Sequence, residues 1–176
     1  MKKIKVKIKG ISGLLMHAYP MCPIENPPIE KWPPEEQAEL ASYRDTNSSE
    51  LYIPGIAIQR ALIAAAAFSK GKGRASLQKQ AAASLFIFPE HILLGIRDFT
   101  IDARCVVIPA TRGRIIRYRP RIDSWMAAFE VEYDESLLTE KQVRQIVDDA
   151  GSRVGLLDFR PEKKGPFGRF IVIEWK

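Results

Sequence analysis

From Lys3 to Lys9 every second residue is a lysine, and Ile4, Val6 and Ile8 fill the positions between. A period of two sends alternate side chains to opposite faces of an extended chain. This segment therefore reads as a strand with one apolar face and one lysine face. The lysine row describes an exposed sheet face better than it describes a dedicated ligand surface. Gly10 and Gly13 loosen the chain after it, and Ile11, Leu14 and Leu15 return to the core.

The next stretch has the opposite character. Pro20, Pro23, Pro27, Pro28, Pro33 and Pro34 forbid a regular helix or a central strand. Residues 36–45 have room for one or two helical turns, and Thr46, Asn47, Ser48 and Ser49 read as a loop. Residues 19–49 thus form one long insertion after the first strand, and loops of that length in compact domains are functional or disordered. A short extended piece, Leu51-Tyr52-Ile53, is closed by Pro54-Gly55. An alanine-rich helix is expected over 56–68, a basic glycine loop over 69–74 and a second helical stretch over 75–84. Short apolar runs at 85–88 and 91–94 precede strands at 103–108, around Ile115-Ile116 and at 127–133. The best-defined helix spans 139–150. Thr139-Glu140-Lys141-Gln142 matches a capping box, Leu138 and Val143 suit a hydrophobic staple, and Gly151 is placed to stop the helix. A last strand is expected over 169–175. The order suits one α+β domain over 1–176, a ferredoxin-like βαββαβ sheet with helices on one face and the long insertion after the first strand.

At 176 residues and 46% hydrophobic composition the chain can bury a core, and a formal charge of +6 favours polyanionic partners. The two cysteines, Cys22 and Cys105, lack the spacing of a zinc site, and Cys105 in its apolar run reads as a buried, inert thiol. A disulfide between them stays open. The longest small-apolar stretch, 61–68, is too short to span a bilayer, and lysines interrupt any signal-like apolar run. The expectation is a cytoplasmic protein with no membrane partner and no cofactor.

The densest basic feature is Arg112, Arg114, Arg117, Arg119 and Arg121, interleaved with Tyr118 and flanked by Trp125. Arg117, Arg119 and Arg121 are two apart, so on a strand they share a face at roughly 6.5–7 Å spacing, close to that of phosphates in an extended single strand. The same pattern also describes a solvated edge strand defended by charge and Pro120. Near the C-terminus a glycine-rich loop, 155–168, carries Lys163 and Lys164, with Arg169 just beyond it. Its glycines would let backbone N–H groups approach an anion, and Phe167 or Phe170 would stack on a base. Phe170 fits the core better, and Arg169 fits contact. The loop lacks the Walker spacing, which excludes an NTPase of that type. His17, at the start of the insertion, is a weak catalytic candidate with no carboxylate pattern beside it. His91 reads as structural, and Asp148 and Asp149 as solvated, with no metal expected.

Three pieces together resemble the RAMP superfamily, the RRM-like proteins of CRISPR systems. They are Ile11-Ser12-Gly13-Leu14-Leu15 at the end of the first strand, Leu51-Tyr52-Ile53-Pro54-Gly55 leading into a helix, and the loop ending Gly165-Pro166-Phe167-Gly168-Arg169-Phe170. The second is similar to an Ile-Pro-Gly element of type III effector backbone subunits. The resemblance implies a ferredoxin-like fold, a groove for single-stranded RNA and, for a backbone subunit, other effector subunits or further copies as partners. It leaves open a stand-alone viral or mobile-element relative. Ile56 stands where that element has Ser, and Gln59-Arg60 where it has Lys-Gly, so Arg60 would supply the cation. Those subunits carry a cleaving aspartate after the first strand. Residues 16–26 contain none, so that activity is not implied.

Three functions compete on this reading. The first is a non-catalytic protein that binds single-stranded RNA or DNA, multimerising along the strand. The second is a metal-independent endoribonuclease using His17 as general base. The third is an assembly protein whose basic surface is incidental.

Overall fold

The alternating N-terminal segment needs a covering layer on its apolar side only, and the architecture is built around that requirement. The computed structural model describes residues 1–19, 28–70, 76–108 and 110–176. In chain order its strands and α-helices are β1 (Lys2–Gly10), β2 (Leu14–Leu15), α1 (Pro34–Leu40), β3 (Tyr52–Pro54), α2 (Gly55–Ala65), α3 (Gln78–Ser84), β4 (Phe86–Phe88), β5 (His91–Leu93), β6 (Thr100–Val107), β7 (Arg114–Ile122), β8 (Met126–Tyr133), α4 (Glu140–Asp149) and β9 (Phe170–Trp175). β1 is a central strand of a four-stranded antiparallel sheet with the order β4-β8-β1-β9. Ile4, Val6 and Ile8 pair with Val131, Phe129 and Ala127 of β8, and all six are buried. Each of these except the small Ala127 contributes about 1.5–3 kcal/mol when fully buried. The lysines occupy the opposite, open face.

Helices α2 and α4 supply the cover and join the same core cluster. From α2 come Ile58, Ala61, Leu62 and Ala65, and from α4 come Val143, Ile146 and Val147. The alanines of α2 keep its inner surface shallow. The capping box of α4 forms as its sequence requires: Thr139 Oγ1 accepts from the Gln142 amide at 3.4 Å, and Gln142 Oε1 accepts from the Thr139 amide at 2.9 Å. Gly151 does not stop this helix. A π-helical turn carries it on through Ala150–Val154, and it ends at Gly155, where φ is +75°. Gly151 serves another purpose, since a Cβ there would overlap the Phe170 carbonyl and push β9 away.

Between β4 and β8 the chain builds more than the short strands expected. β5 pairs with β3, and β6 and β7 form a long hairpin whose register runs from Thr100↔Arg121 to Val107↔Arg114. The hairpin makes a second sheet, β2-β7-β6, and α1 packs against it. Cys105 is exposed rather than buried, because β6 is an edge strand whose odd-numbered side chains point away from the body. Cys22 and much of the Pro-rich run, with the glycine loop at 71–75, lie outside the described residues. No described helix is long and apolar enough to cross a membrane.

Candidate nucleic-acid interface

Alternation on β7 places Arg117, Arg119 and Arg121 on one face, and the register adds Arg104, Asp102 and Thr100 from β6. That face is turned inward onto the 155–168 loop. Arg119 is buried, its Nη1 donates to Asp158, and its Nη2 lies 4.0 Å from Asp102. Arg117 pairs with Glu30 at 3.0 Å, and Arg121 pairs with Asp123 at 2.6 Å. Arg104 donates to Asp102 at 2.7 Å and lies over the Phe167 ring, 5.0 Å from its centroid, and Arg121 lies over the same ring at 5.5 Å. A free row of three guanidiniums is therefore not what forms. Asp102 is itself buried and Asp158 half-buried, and carboxylates so placed need a countercharge, which draws Arg119 in. Tyr118, on the other face, is half-buried. Phe167 is buried beside two guanidiniums rather than open to a base, and Phe170 belongs to the core as expected.

The glycines of the loop also differ from expectation. Their amides are used internally: Gly155 donates to Ala150, Gly165 to Arg160 and Gly168 to Gly13. A Cβ at Gly165 would overlap the Phe159 carbonyl, and one at Gly168 the Leu156 backbone. These positions are glycine so that the loop can fold on itself. Its exposed cations are Lys163, Lys164 and Arg169, with Arg169 anchored through its own amide to Ser12 Oγ at 3.0 Å. Arg112, at φ +55°, and Arg114 are exposed at the far end of the hairpin.

His17 has the carboxylate partner its local sequence lacks. Its Nδ1 lies 3.4 Å from Asp158 Oδ2. Burial pushes Asp158 up, but the His17 hydrogen bond and the Arg119 charge outweigh it and hold this carboxyl at about 2. Asp158 is positioned by its own amide, which donates to Leu15 of β2 at 3.0 Å. His17 and Asp158 border a cleft of about 480 Å³, lined also by Tyr43, Arg60, Arg160 and the first turn of α2. Arg160 is committed to Glu162 and to the Leu157 carbonyl. Arg60 is exposed and has no partner among the described residues. Helix α2 opens with Pro54 as an N-cap that offers no side-chain bond, so the positive end of its dipole faces the same cleft. Gly55 is required there because a Cβ would come within 2.8 Å of the Pro89 carbonyl. Exposed Ile56 leaves that turn without a hydroxyl.

Other candidates are explained by local partners. Lys3 and Lys7 pair with Glu132 and Glu174, both at 3.5 Å, as suits an exposed sheet face. His91 stacks on Tyr52 at 3.9 Å and lies 3.2 Å from Asp45. Asp148 pairs with Arg144, but Asp149 is buried rather than solvated. It accepts from Gln145 at 3.2 Å and faces Arg153, which the π-helical turn carries to 3.4 Å. Among the described residues no three His, Cys, Asp or Glu side chains converge to hold a metal ion.

The sequence matches no protein-family model and no curated protein. Among solved structures, the chain is similar over 99% of its length to a chain from the cryo-EM structure of a Type III-B Cmr-β complex bound to cognate target RNA, with a TM-score of 0.56 and 12% identity. It spans 59% of the length of that chain. The two share a mixed α+β fold.

Proposed function

We propose that this chain is a RAMP-type protein that binds single-stranded nucleic acid, RNA before DNA, without cleaving it. The observation that carries the reading is the chain-long likeness to a protein from an effector complex with target RNA bound. The order β4-β8-β1-β9, with α2 and α4 on one side, agrees with a ferredoxin-like plan in which the first strand lies between the third and fourth. On this reading 1–176 is one domain, the hairpin and the 19–49 segment are additions to it, and the partners are an RNA strand and other effector subunits or further copies. The contacts are assigned to the exposed cations: Arg60 at the cleft, Arg112 and Arg114 on the hairpin, and Lys163, Lys164 and Arg169 by the loop. Arg117, Tyr118 and Arg121 border these. Arg119, buried against Asp158, is assigned a positioning role.

The test is fluorescence anisotropy with labelled single-stranded RNA, single-stranded DNA and duplex DNA at two salt concentrations, with a gel to check that the oligonucleotide stays intact. Tight, salt-sensitive binding to single-stranded RNA is expected, weakened by Arg60→Ala. Absence of binding at low salt, or binding indifferent to salt, removes the reading.

The His17–Asp158 contact favours one second reading, metal-independent RNA cleavage. There Asp158 would orient the imidazole as general base, and Arg60 would stabilise charge on the phosphorane. Cleavage in EDTA that His17→Ala abolishes supports it. Cleavage unchanged in that variant excludes His17.

A further inference from the structure

We propose that β6 is a self-pairing edge, through which two copies of this chain join antiparallel, β6 to β6, into one continuous sheet. The inference is independent of the nucleic-acid reading. Among the described residues β6 pairs only with β7. The outward backbone groups of its eight residues take no hydrogen bond from any described residue. A long open edge of this kind is a template for another strand. Its outer face is apolar, with Ile101, Cys105 and Val107 exposed beside Ile116 of β7.

The charges on β6 select both the occupant and the register. In a symmetric antiparallel pair a two-fold axis normal to the sheet runs between the strands, midway between the same residue of the two copies, which then face each other. With the axis at Ala103, Ala103 faces Ala103, Ile101 faces Cys105, and each Asp102 faces the second copy's Arg104. Opposite charges placed directly across strands are stabilising. With the axis at Arg104 two guanidiniums meet, and at Asp102 two carboxylates meet. With the axis at Cys105 neither charge finds its opposite, and with the axis at Ile101 Arg104 would face Asp98, which lies outside the strand. One register therefore pairs both charges twice. Asp102 is only 7% exposed, so the contact falls to the half-exposed Arg104 guanidinium reaching across: Arg104 engages its own Asp102 through Nε alone, and Asp102 Oδ2 takes no described hydrogen bond. The two edge strands of the four-stranded sheet have no such complementarity, since β4 carries no charge. β9 carries Glu174 as its one charge, and its pairing with β1 is interrupted by a register shift.

The experiment is sedimentation equilibrium on nuclease-treated, nucleic-acid-free protein. The mass is expected to rise with concentration from 19.9 kDa to twice that value. Arg104→Glu sets carboxylate against carboxylate twice, and is expected to raise the dimer dissociation constant about tenfold or more; because it also removes the in-chain partner of buried Asp102, it is compared with the wild type at a temperature where circular dichroism shows both folded. An independent readout uses Ala103→Cys in a Cys22→Ser, Cys105→Ser background. Paired strands place facing Cα atoms within disulfide reach, so mild oxidation is expected to link two copies, whereas Ile116→Cys in the same background is not. A protein that stays monomeric to its solubility limit overturns the proposal, and so does equal cross-linking at both positions.

Discussion

Arg119 joins the hairpin to the C-terminal loop, because the buried guanidinium lies between Asp102 on β6 and Asp158 in the loop. Arg119→Met is expected to destabilise the fold by about 3 kcal/mol, since it removes the buried partner of Asp158 and leaves that carboxylate with His17 alone and Asp102 with Arg104 alone, and urea unfolding measures this. Asp158 gives a pH signature. Its folded-state carboxyl is held at about 2, below the ordinary value of 3.8. The stability it contributes is therefore present above about pH 4 and lost as pH falls toward 2. Its partial exposure limits the effect to on the order of 1–2 kcal/mol. Unfolding free energies measured across that window are expected to fall more steeply for the wild type than for Asp158→Asn. None of this was legible locally. The spacing of Arg117, Arg119 and Arg121 correctly predicts a shared face, but which face meets the body depends on Asp102 across the hairpin and on Asp158 far along the chain. His17 lacked a visible carboxylate for the same reason. The helix that carries Arg60 was legible because its opening after Pro54-Gly55 is a local signal.

Elements with a strong period were readable to within a residue or two. β1 and β8 alternate, and α4 carries both its stripe and its cap. Thr139→Ala is expected to cost about 1 kcal/mol, the usual value of an N-cap, as a lowered midpoint in urea with an unchanged slope. Gly151 gives a sharper test, because local and tertiary arguments predict opposite signs. Helix propensity alone has Gly151→Ala stabilising by about 1 kcal/mol. The overlap of its Cβ with the Phe170 carbonyl predicts a net loss of about 1–2 kcal/mol instead. A gain in melting temperature would mean that β9 yields easily. The extent of the β6–β7 hairpin and the β3–β5 pair escaped the sequence reading for different reasons: β3 and β5 are three residues each, too short to show a period, whereas β6 alternates in the inverted sense. Ile101, Ala103, Cys105 and Val107 face outward while Asp102 and Arg104 face the body, the reverse of what an apolar-inside reading expects.

For the molecule as a whole, a net charge of +6 predicts polyanion binding whose strength falls with salt. The contribution of each exposed cation is separable. Replacing Lys163 and Lys164 together by Ala is expected to reduce the slope of log affinity against log salt by about two if both meet phosphates. An unchanged slope assigns them to solvent. The order of the main sheet has a further consequence, for how the protein is made. β1 has two neighbours, β8 and β9, and Ile4 waits for Val131 while Lys5 waits for Lys176. On the ribosome the first strand therefore emerges with Ile4, Val6 and Ile8 uncovered, and stays so until most of the chain has followed. Its interleaved lysines keep that waiting segment from pairing with its like on neighbouring nascent chains.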